Sequence, residues 1–463
     1  MKRFFAVILL TLLCSNAIAE VKVTVNPTVK KWHISPLLLG MHTIYYVEDD
    51  SAYADGRIAK WAKTVPIGTM RFPGGSVVKY WDWENPTGIA TGDRYDPKWD
   101  REAALAKNWM SLDEYLDFVR QSGITPLLGV NFRSGFVYGR TQDGIDRAVR
   151  MIEKVKAAGL GGAYWYIGNE DAFQVGGNTA AAKLFVEYAK AMKAADPKIR
   201  IFWNNNKANA KNVKEYLSIA GPWADGVEFH GKWPVGGQRG KNRGCTFKEW
   251  QKEVPLLMHE TVPQAWRERS FEIRRAAAEA GYPKLLIANN EYGLGKPKLV
   301  STKLGFTRYT VGLLLTEFTM EHIVGNYDMA CFWANIRGDY DGLLSRPNNY
   351  RLNPVALGWE LIGPSLDGEF VEMSSSDRYT HGYASLKAGK LYIYLLNKSD
   401  EKQPIEISIQ TGRSFALESI DSMQNNSDGW GKIVKSEGQS TVANSFRFLS
   451  EPLSFSRITL TTK

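Results

Sequence analysis

Short apolar runs alternate with amphipathic stretches from about residue 37 to residue 363. Such alternation predicts buried strands joined by helices, and eight βα units predict an α/β fold whose strands close a (β/α)8 TIM barrel. The eight candidate strands are Leu37–Tyr45, Thr69–Gly74, Thr125–Phe132, Tyr164–Glu170, Arg200–Asn205, Gly226–Gly231, Lys284–Glu291 and Met329–Ile336.

The stretches between these strands carry helix starts and stops. Ser111 and Glu114 have the spacing of a capping box, and Gly123 follows the apolar stripe that they precede. A second stripe runs at helical spacing from Ile145 to Val155. Helices therefore fit between the strands, as the barrel requires.

Beyond residue 363 the pattern changes to alternating apolar and polar positions separated by polar turns. This pattern predicts an all-β sandwich over residues 364–463. Residues 21–25 alternate in the same way. We therefore expect residues 20–36 to supply an N-terminal strand to the sandwich and residues 37–363 to form the catalytic barrel.

The first 19 residues have the features of a secretory signal peptide: Lys2 and Arg3, an apolar stretch, and small residues before Glu20. Lipid attachment at Cys14 is the alternative, but Leu13 stands where a small residue is expected. We expect secretion to the periplasm or beyond. No later run reaches the roughly 20 apolar residues of a membrane-spanning helix.

Composition disfavours some classes of function. Loss of Lys2 and Arg3 lowers the formal net charge of +9 to +7, which would suit an acidic or sulfated polysaccharide but is also common on solvated surfaces. No dense basic stretch predicts nucleic acid binding. Only Cys245 and Cys331 follow the signal peptide, and the six histidines lack ligand spacing, so we expect neither a disulfide framework, a metal site nor a cofactor. We expect Cys331 to be a buried thiol.

Two glutamates stand at the ends of candidate strands four and seven, Glu170 and Glu291. The carboxyl ends of all barrel strands meet at one rim, so we expect these side chains to lie close together. A retaining glycosidase needs two carboxyl groups, roughly 5–5.5 Å apart. Two unrelated solvated carboxylates are the alternative, which is disfavoured for a pair at these two strand ends.

Three motifs resemble those of clan A glycoside hydrolases, and their layout is nearest to the α-L-arabinofuranosidase family. They are Arg71–Gly75, Gly129–Arg133 and Tyr164–Glu170. The resemblance implies a barrel with a sandwich and a retaining mechanism. It also implies acid/base and nucleophile roles for Glu170 and Glu291.

Within that resemblance, Asn169 would bond the sugar 2-hydroxyl. Burial near aromatic residues and the charge of Glu291 would keep Glu170 protonated. The chain also departs from the family. It has no glutamate at the end of strand one, it has Ser76 where the family has asparagine, and Asn290 rather than aspartate precedes Glu291. Sugar specificity therefore stays open among arabinosides, xylan, β-glucan and agar-type galactan.

Other polar residues at strand ends are candidates for substrate binding. Arg71 would hold the charge of Glu291, with a structural ion pair as the alternative. Asn131 would contact sugar or Glu170, unless it only forms a turn. His230 and His42 end strands six and one, where they could orient a carboxylate, contact sugar, or belong to the core.

Aromatic residues at the rim offer surfaces on which sugar rings stack. Trp233 follows strand six, and Trp333 ends strand eight, where the resemblance implies the floor of the central subsite. Packing in the core is the alternative for each. The loops Trp81–Asp100 and Trp233–Trp250 would decide between a groove that cleaves internally and a pocket that releases terminal sugars.

These observations favour a secreted retaining glycoside hydrolase that acts on plant or algal polysaccharide or derived oligosaccharides. A non-catalytic carbohydrate-binding relative is the alternative, although a binding protein has no need of the glutamate pair. A lyase would require a tyrosine or histidine base with a neutralised uronate carboxyl group, and the sequence presents no such set. Oligomeric state is left open.

Overall fold

The computed structural model describes residues 19–43, 51–84, 110–204, 208–233, 246–252, 265–294, 304–336, 339, 342–377, 379–412, 414–438, 441–442 and 444–462. Residues 1–18 of the expected signal peptide lie outside these ranges. So do residues 85–100 and 234–245 of the two candidate rim loops, including Cys245.

Eight parallel strands form a closed barrel. The first strand of the described chain, β1 (Val21–His33), is not part of the barrel. The cylinder is closed by β10 (Met329–Phe332), which pairs with both β9 (Leu286–Leu294) and β2 (Gly40–His42). The predicted TIM barrel is therefore confirmed. Its strands are β2 (Gly40–His42), β3 (Thr69–Phe72), β4 (Thr125–Val130), β5 (Tyr164–Ile167), β6 (Arg200–Asn204), β7 (Gly226–Phe229), β9 (Leu286–Leu294) and β10 (Met329–Phe332), with the short β8 (Lys232–Trp233) beside β9.

Several predicted strand ends are wrong, and two of them concern the glutamates. β5 stops at Ile167, because Gly168 takes a left-handed conformation with φ 72° and turns the chain. Glu170 therefore lies in a loop. β9 continues past Glu291 to Leu294, because β8 pairs with Gly293 and Leu294 and extends it.

Helices on the outside of the barrel connect most strands. Ser111 and Glu114 form the predicted capping box, and Gly123 ends that helix with φ 75°. The helices are α1 (Ser51–Ala54), α2 (Arg57–Thr64), α3 (Leu112–Ser122), α4 (Arg133–Val137), α5 (Thr141–Ala157), α6 (Asn178–Ala195), α7 (Ala210–Ala220), α8 (Phe247–Lys252), α9 (Ala265–Glu279), α10 (Arg308–Val324) and α11 (Val355–Ile362). None of the helices in the described ranges has both the length and the apolarity needed to cross a bilayer.

The C-terminal part is a curled, mostly antiparallel sheet, which matches the predicted all-β sandwich. β1 joins this sheet between β13 and β16, and Val21, Val23 and Val25 enter its core. The C-terminal strands are β13 (Glu369–Ser375), β14 (Thr380–Lys387), β15 (Lys390–Asn397), β16 (Gln403–Ile409), β17 (Phe415–Gln424), β18 (Lys432–Glu437), β19 (Thr441–Val442), β20 (Ser445–Ser450) and β21 (Ser454–Thr462). A two-stranded ribbon, β11 (Leu344–Ser345) and β12 (Arg351–Leu352), precedes α11.

Helix α10 carries buried charge where the barrel meets the sheet. The Glu317 carboxylate is fully buried, and it accepts hydrogen bonds from Trp250 Nε1 at 2.6 Å and Lys398 Nζ at 3.1 Å. His381 Nε2 lies 3.1 Å from the same carboxylate. Burial alone would raise the pKa of Glu317, but Lys398, His381 and Trp250 outweigh burial and lower it to about 2.

Candidate active site

Glu291 lies near the carboxyl end of β9 with its side chain almost fully buried. Arg71 Nη1, from the end of β3, donates a hydrogen bond to Glu291 Oε1 at 2.8 Å. His230 Nδ1 lies 3.7 Å from the other carboxylate oxygen. A buried carboxylate with a cationic partner stays ionised, as a nucleophile must.

Arg71 connects several groups beneath the rim. Its fully buried guanidinium donates from Nη2 to Asn169 Oδ1 at 2.9 Å and to Glu228 Oε1 at 3.1 Å, and it lies over the Tyr166 ring at 4.1 Å. Burial would lower the pKa of Arg71, but Glu228, Tyr166 and Glu291 raise it overall. The guanidinium is therefore a permanent positive charge under the site.

Glu170 is held in the turn after β5. Its backbone has φ 57°, and its N–H donates to Asn204 Oδ1 at 2.6 Å. His230 Nδ1 lies 2.5 Å from Glu170 Oε1. The Glu170 side chain is 35% exposed whereas that of Glu291 is 4% exposed, so Glu170 is the carboxyl group that can exchange protons with solvent and substrate.

The Asp171 side chain, next to Glu170 in the chain, supports the turn that holds Glu170. Asp171 Oδ2 accepts the Asn169 N–H at 2.8 Å, and Asp171 Oδ1 pairs with Lys79 Nζ at 3.0 Å. Burial raises the pKa of Asp171, although Lys79 opposes the shift. This ion pair ties the turn to the short 3₁₀ segment after β3, which stabilises a positive φ at Glu170 that a non-glycine residue rarely adopts.

The separation of the two glutamates decides what chemistry they can perform. Ligand atoms of Glu170, His230 and Glu291 all lie within 4.8 Å of one another. Retaining glycosidases have carboxyl groups about 5–5.5 Å apart, whereas inverting enzymes need about 6.5–9.5 Å. The three side chains also have a metal-ligand spacing, but the Arg71 guanidinium on Glu291 supplies a positive charge there already.

His42 and Trp333 lie behind the nucleophile. His42 Nδ1 is 3.0 Å from the Asn290 carbonyl oxygen, and the His42 ring meets Trp333 edge-on at 4.5 Å. Trp333 is half-buried, and its ring approaches Gly75. A Cβ atom at Gly75 would lie 2.6 Å from Glu291 Oε1 and 2.9 Å from that ring. The indole therefore stands next to the nucleophile, where a sugar ring could stack.

The two remaining candidates from the sequence are placed differently. Asn131 accepts the Ser134 N–H at 3.1 Å, and its amide donates to Ser134 Oγ and to the Trp81 carbonyl oxygen, so its side chain supports a turn and joins it to the segment after β3. Trp233 belongs to β8, but its side chain lies outside the described residues.

Sequence reasoning missed Glu228, Asn204, Asp171 and Lys79. Glu228 had a detectable signal, because it stands inside an apolar strand two residues before His230 and so shares the inward face of β7. An acidic residue at an inward barrel position requires a buried cationic partner, which Arg71 supplies.

Comparisons with known proteins agree with this architecture. No protein-family model matches the chain, and no curated protein is detectably similar to it in sequence. Solved structures do match. An α-L-arabinofuranosidase from Thermotoga maritima in complex with arabinose has a TM-score of 0.72 and 18% identity, over 95% of this chain and 100% of that one.

Two further matches extend over 96% of this chain and over the full length of the other protein. They are a family 51 arabinofuranosidase from Xanthomonas axonopodis pv. citri, with a TM-score of 0.69 and 15% identity, and a family 44 xyloglucanase from Paenibacillus polymyxa, with a TM-score of 0.67 and 15% identity. The arabinofuranosidase-like layout predicted from the motifs is thus confirmed at the level of the fold.

Proposed function

We propose that the protein is a retaining glycoside hydrolase. The observation that carries this proposal is the pair of carboxyl groups within 4.8 Å, one buried against a guanidinium and one partly exposed. A carbohydrate-binding protein gains nothing from burying a carboxylate beside a second one, because like charges at this distance are costly.

In the first step, Glu170 protonates the oxygen of the leaving group while the Glu291 carboxylate attacks the anomeric carbon. The C–O bond to the leaving group breaks, and a glycosyl ester with Glu291 forms. In the second step, water gives its proton to Glu170 and its oxygen to the anomeric carbon, which releases Glu291. Two inversions leave the anomeric configuration unchanged.

The proposed substrate is a plant or algal polysaccharide or an oligosaccharide derived from it, with an α-L-arabinofuranoside as the first candidate. The solved arabinofuranosidases with the same fold support this candidate. The resemblance of Arg71–Gly75 to a motif of that family supports it as well. A β-glucan is the second candidate. It is supported by the xyloglucanase likeness and by His42 at the end of β2, where arabinofuranosidases carry a glutamate. The N-terminal pattern supports secretion.

The test compares the mature protein with Glu291→Ala on aryl glycosides, arabinoxylan, arabinan, xylan, xyloglucan, β-glucan and agar, with products resolved by size and anomeric configuration. We expect the wild type to release sugar with retained configuration and the variant to lose at least about 1,000-fold in kcat. Arabinose release supports the first candidate, and gluco-oligosaccharides support the second. Inverted products, or turnover unaffected by Glu291→Ala, would overturn the mechanism.

A further inference from the structure

Glu228 is a third carboxylate beneath the two proposed catalytic ones. It lies on β7 with no exposed surface, and both of its oxygens have donors. Oε1 accepts from Arg71 Nη2 at 3.1 Å and from Asn204 Nδ2, and Oε2 accepts from Asn290 Nδ2. Side chains from the two flanking strands, β6 and β9, and from β3 across the barrel therefore converge on Glu228.

Each partner of Glu228 leads to a carboxyl group at the rim. Asn204 accepts the Glu170 N–H at 2.6 Å and lies 3.2 Å from His230 Nε2. Arg71 donates directly to Glu291, and Asn290 precedes Glu291 on the same strand. Glu228 is thus within two contacts of both the acid/base and the nucleophile.

The charges around Glu228 also connect it to the charge of Glu291. Its titratable neighbours are Arg71, Tyr166 and Cys331, and burial raises the pKa of the tyrosine and of the thiol, so both are neutral near pH 7. Arg71 is then the cation shared by Glu228 and Glu291 among the described residues. A carboxylate whose counter-ion is shared keeps more of its charge available for attack.

We propose that Glu228 is a positioning residue that holds Glu170 and Glu291 at their separation and limits how strongly Arg71 stabilises the charge of Glu291. This inference rests on the proposed hydrolase function. It concerns a side chain that does not itself reach the rim and so does not touch substrate.

The test is Glu228→Gln, which keeps the shape and removes the charge. The amide fits because Asn290 Oδ1 is buried without a hydrogen-bond partner in the described structure, so the Asn290 amide can turn and accept from the new NH₂ group. We expect kcat to fall at least about tenfold with little change in KM, because Arg71 then stabilises ionised Glu291 more strongly and makes it a weaker nucleophile.

The pH profile separates positioning from ordinary destabilisation. Without the neighbouring negative charge, Arg71 stabilises ionised Glu291 more strongly, so the acidic limb of kcat/KM should move to lower pH by about half a unit or more. The matched control is Glu317→Gln, a buried ion-paired glutamate on α10. We expect Glu317→Gln to lower the melting temperature, whereas the acidic limb of its kcat/KM profile should lie at the same pH as in the wild type.

Three outcomes decide the proposal. An acidic limb and kcat equal to those of the wild type in folded Glu228→Gln would overturn it. If that variant does not fold, Asn204→Ala interrupts the link to Glu170 alone. We then expect the variant to hydrolyse glycosides with poor leaving groups more slowly than the wild type does and activated aryl glycosides at the same rate. Rates equal to those of the wild type on both kinds of substrate would overturn the proposal. A wild type inert on every glycoside would instead refute the hydrolase function.

Discussion

Arg71 contacts several side chains of the site at once. Its guanidinium donates to Glu291, Asn169 and Glu228 while its face covers Tyr166. A planar group with several fixed donors can satisfy all of these contacts at once, whereas an ammonium group is a point charge on a flexible stem. The network therefore depends on geometry as well as on charge.

Arg71→Lys should lower kcat/KM at least about 100-fold, because the nucleophile and Asn169 lose their common donor. Steady-state kinetics on an activated aryl glycoside measure the effect, with circular dichroism as a check on folding. Arg447→Lys is the matched control, because the Arg447 ion pair with Glu20 is on the surface. Equal losses in the two variants would contradict the assigned role of Arg71.

Residue types at strand ends made part of this cluster predictable. Glu170, Glu291, Arg71, Asn169 and His230 come together because each follows or ends an apolar run that forms a barrel strand. The buried support could not be found in this way. A pattern shows that a strand is buried, but it does not show which polar side chain inside the strand meets which cation across the barrel.

The loops that follow the strands set the shape of the site. After β3 the chain passes Gly75, whose missing side chain leaves room for Glu291 Oε1 and for the Trp333 ring. The requirement is for space, which neither the helical nor the strand period of the sequence reveals.

Gly75→Ala should lower kcat/KM at least about 100-fold, because the new methyl group displaces Glu291 or the indole ring. Gly412→Ala is the control, since a Cβ atom there meets nothing within 4 Å and the φ angle is not in the left-handed region. Full activity in Gly75→Ala would show that the nucleophile is not fixed where the structure places it.

At the scale of the molecule, α10 is buried between the barrel and the C-terminal sheet, and its Glu317 is paired across that boundary. The sequence predicted both parts from the change of pattern near residue 363. It did not predict their ion pairs, because Glu317 and Lys398 are far apart in the chain and nothing local connects them.

Glu317 should make stability depend on pH. Its pKa is lowered to about 2 in the folded protein, from an ordinary value near 4.5, so the unfolded chain binds more protons as the pH falls. Its contribution, about 3 kcal/mol, is complete above about pH 5 and is lost as the pH falls towards 2. Urea unfolding across this range measures the loss.

In the same experiment, Glu317→Gln should be less stable than the wild type at pH 6 and should lose less stability on acidification. The difference between the two proteins isolates this one carboxyl group from the others that titrate in the range. Parallel curves for the two proteins would show that Lys398 and His381 do not hold the carboxylate in its ionised form.

The place of β1 in the C-terminal sheet has a consequence for biosynthesis. Residues 21–33 are translated early, but their hydrogen-bonding partners begin at residues 369 and 403. Domains generally fold in the order in which they leave the ribosome. Here the barrel is translated between β1 and its partners, so both edges of β1 stay open until the barrel has been made. Synthesis of β13 and β16 then covers the two edges of β1, and a ribosome that stalls before residue 403 would release a barrel whose leading strand has an exposed edge.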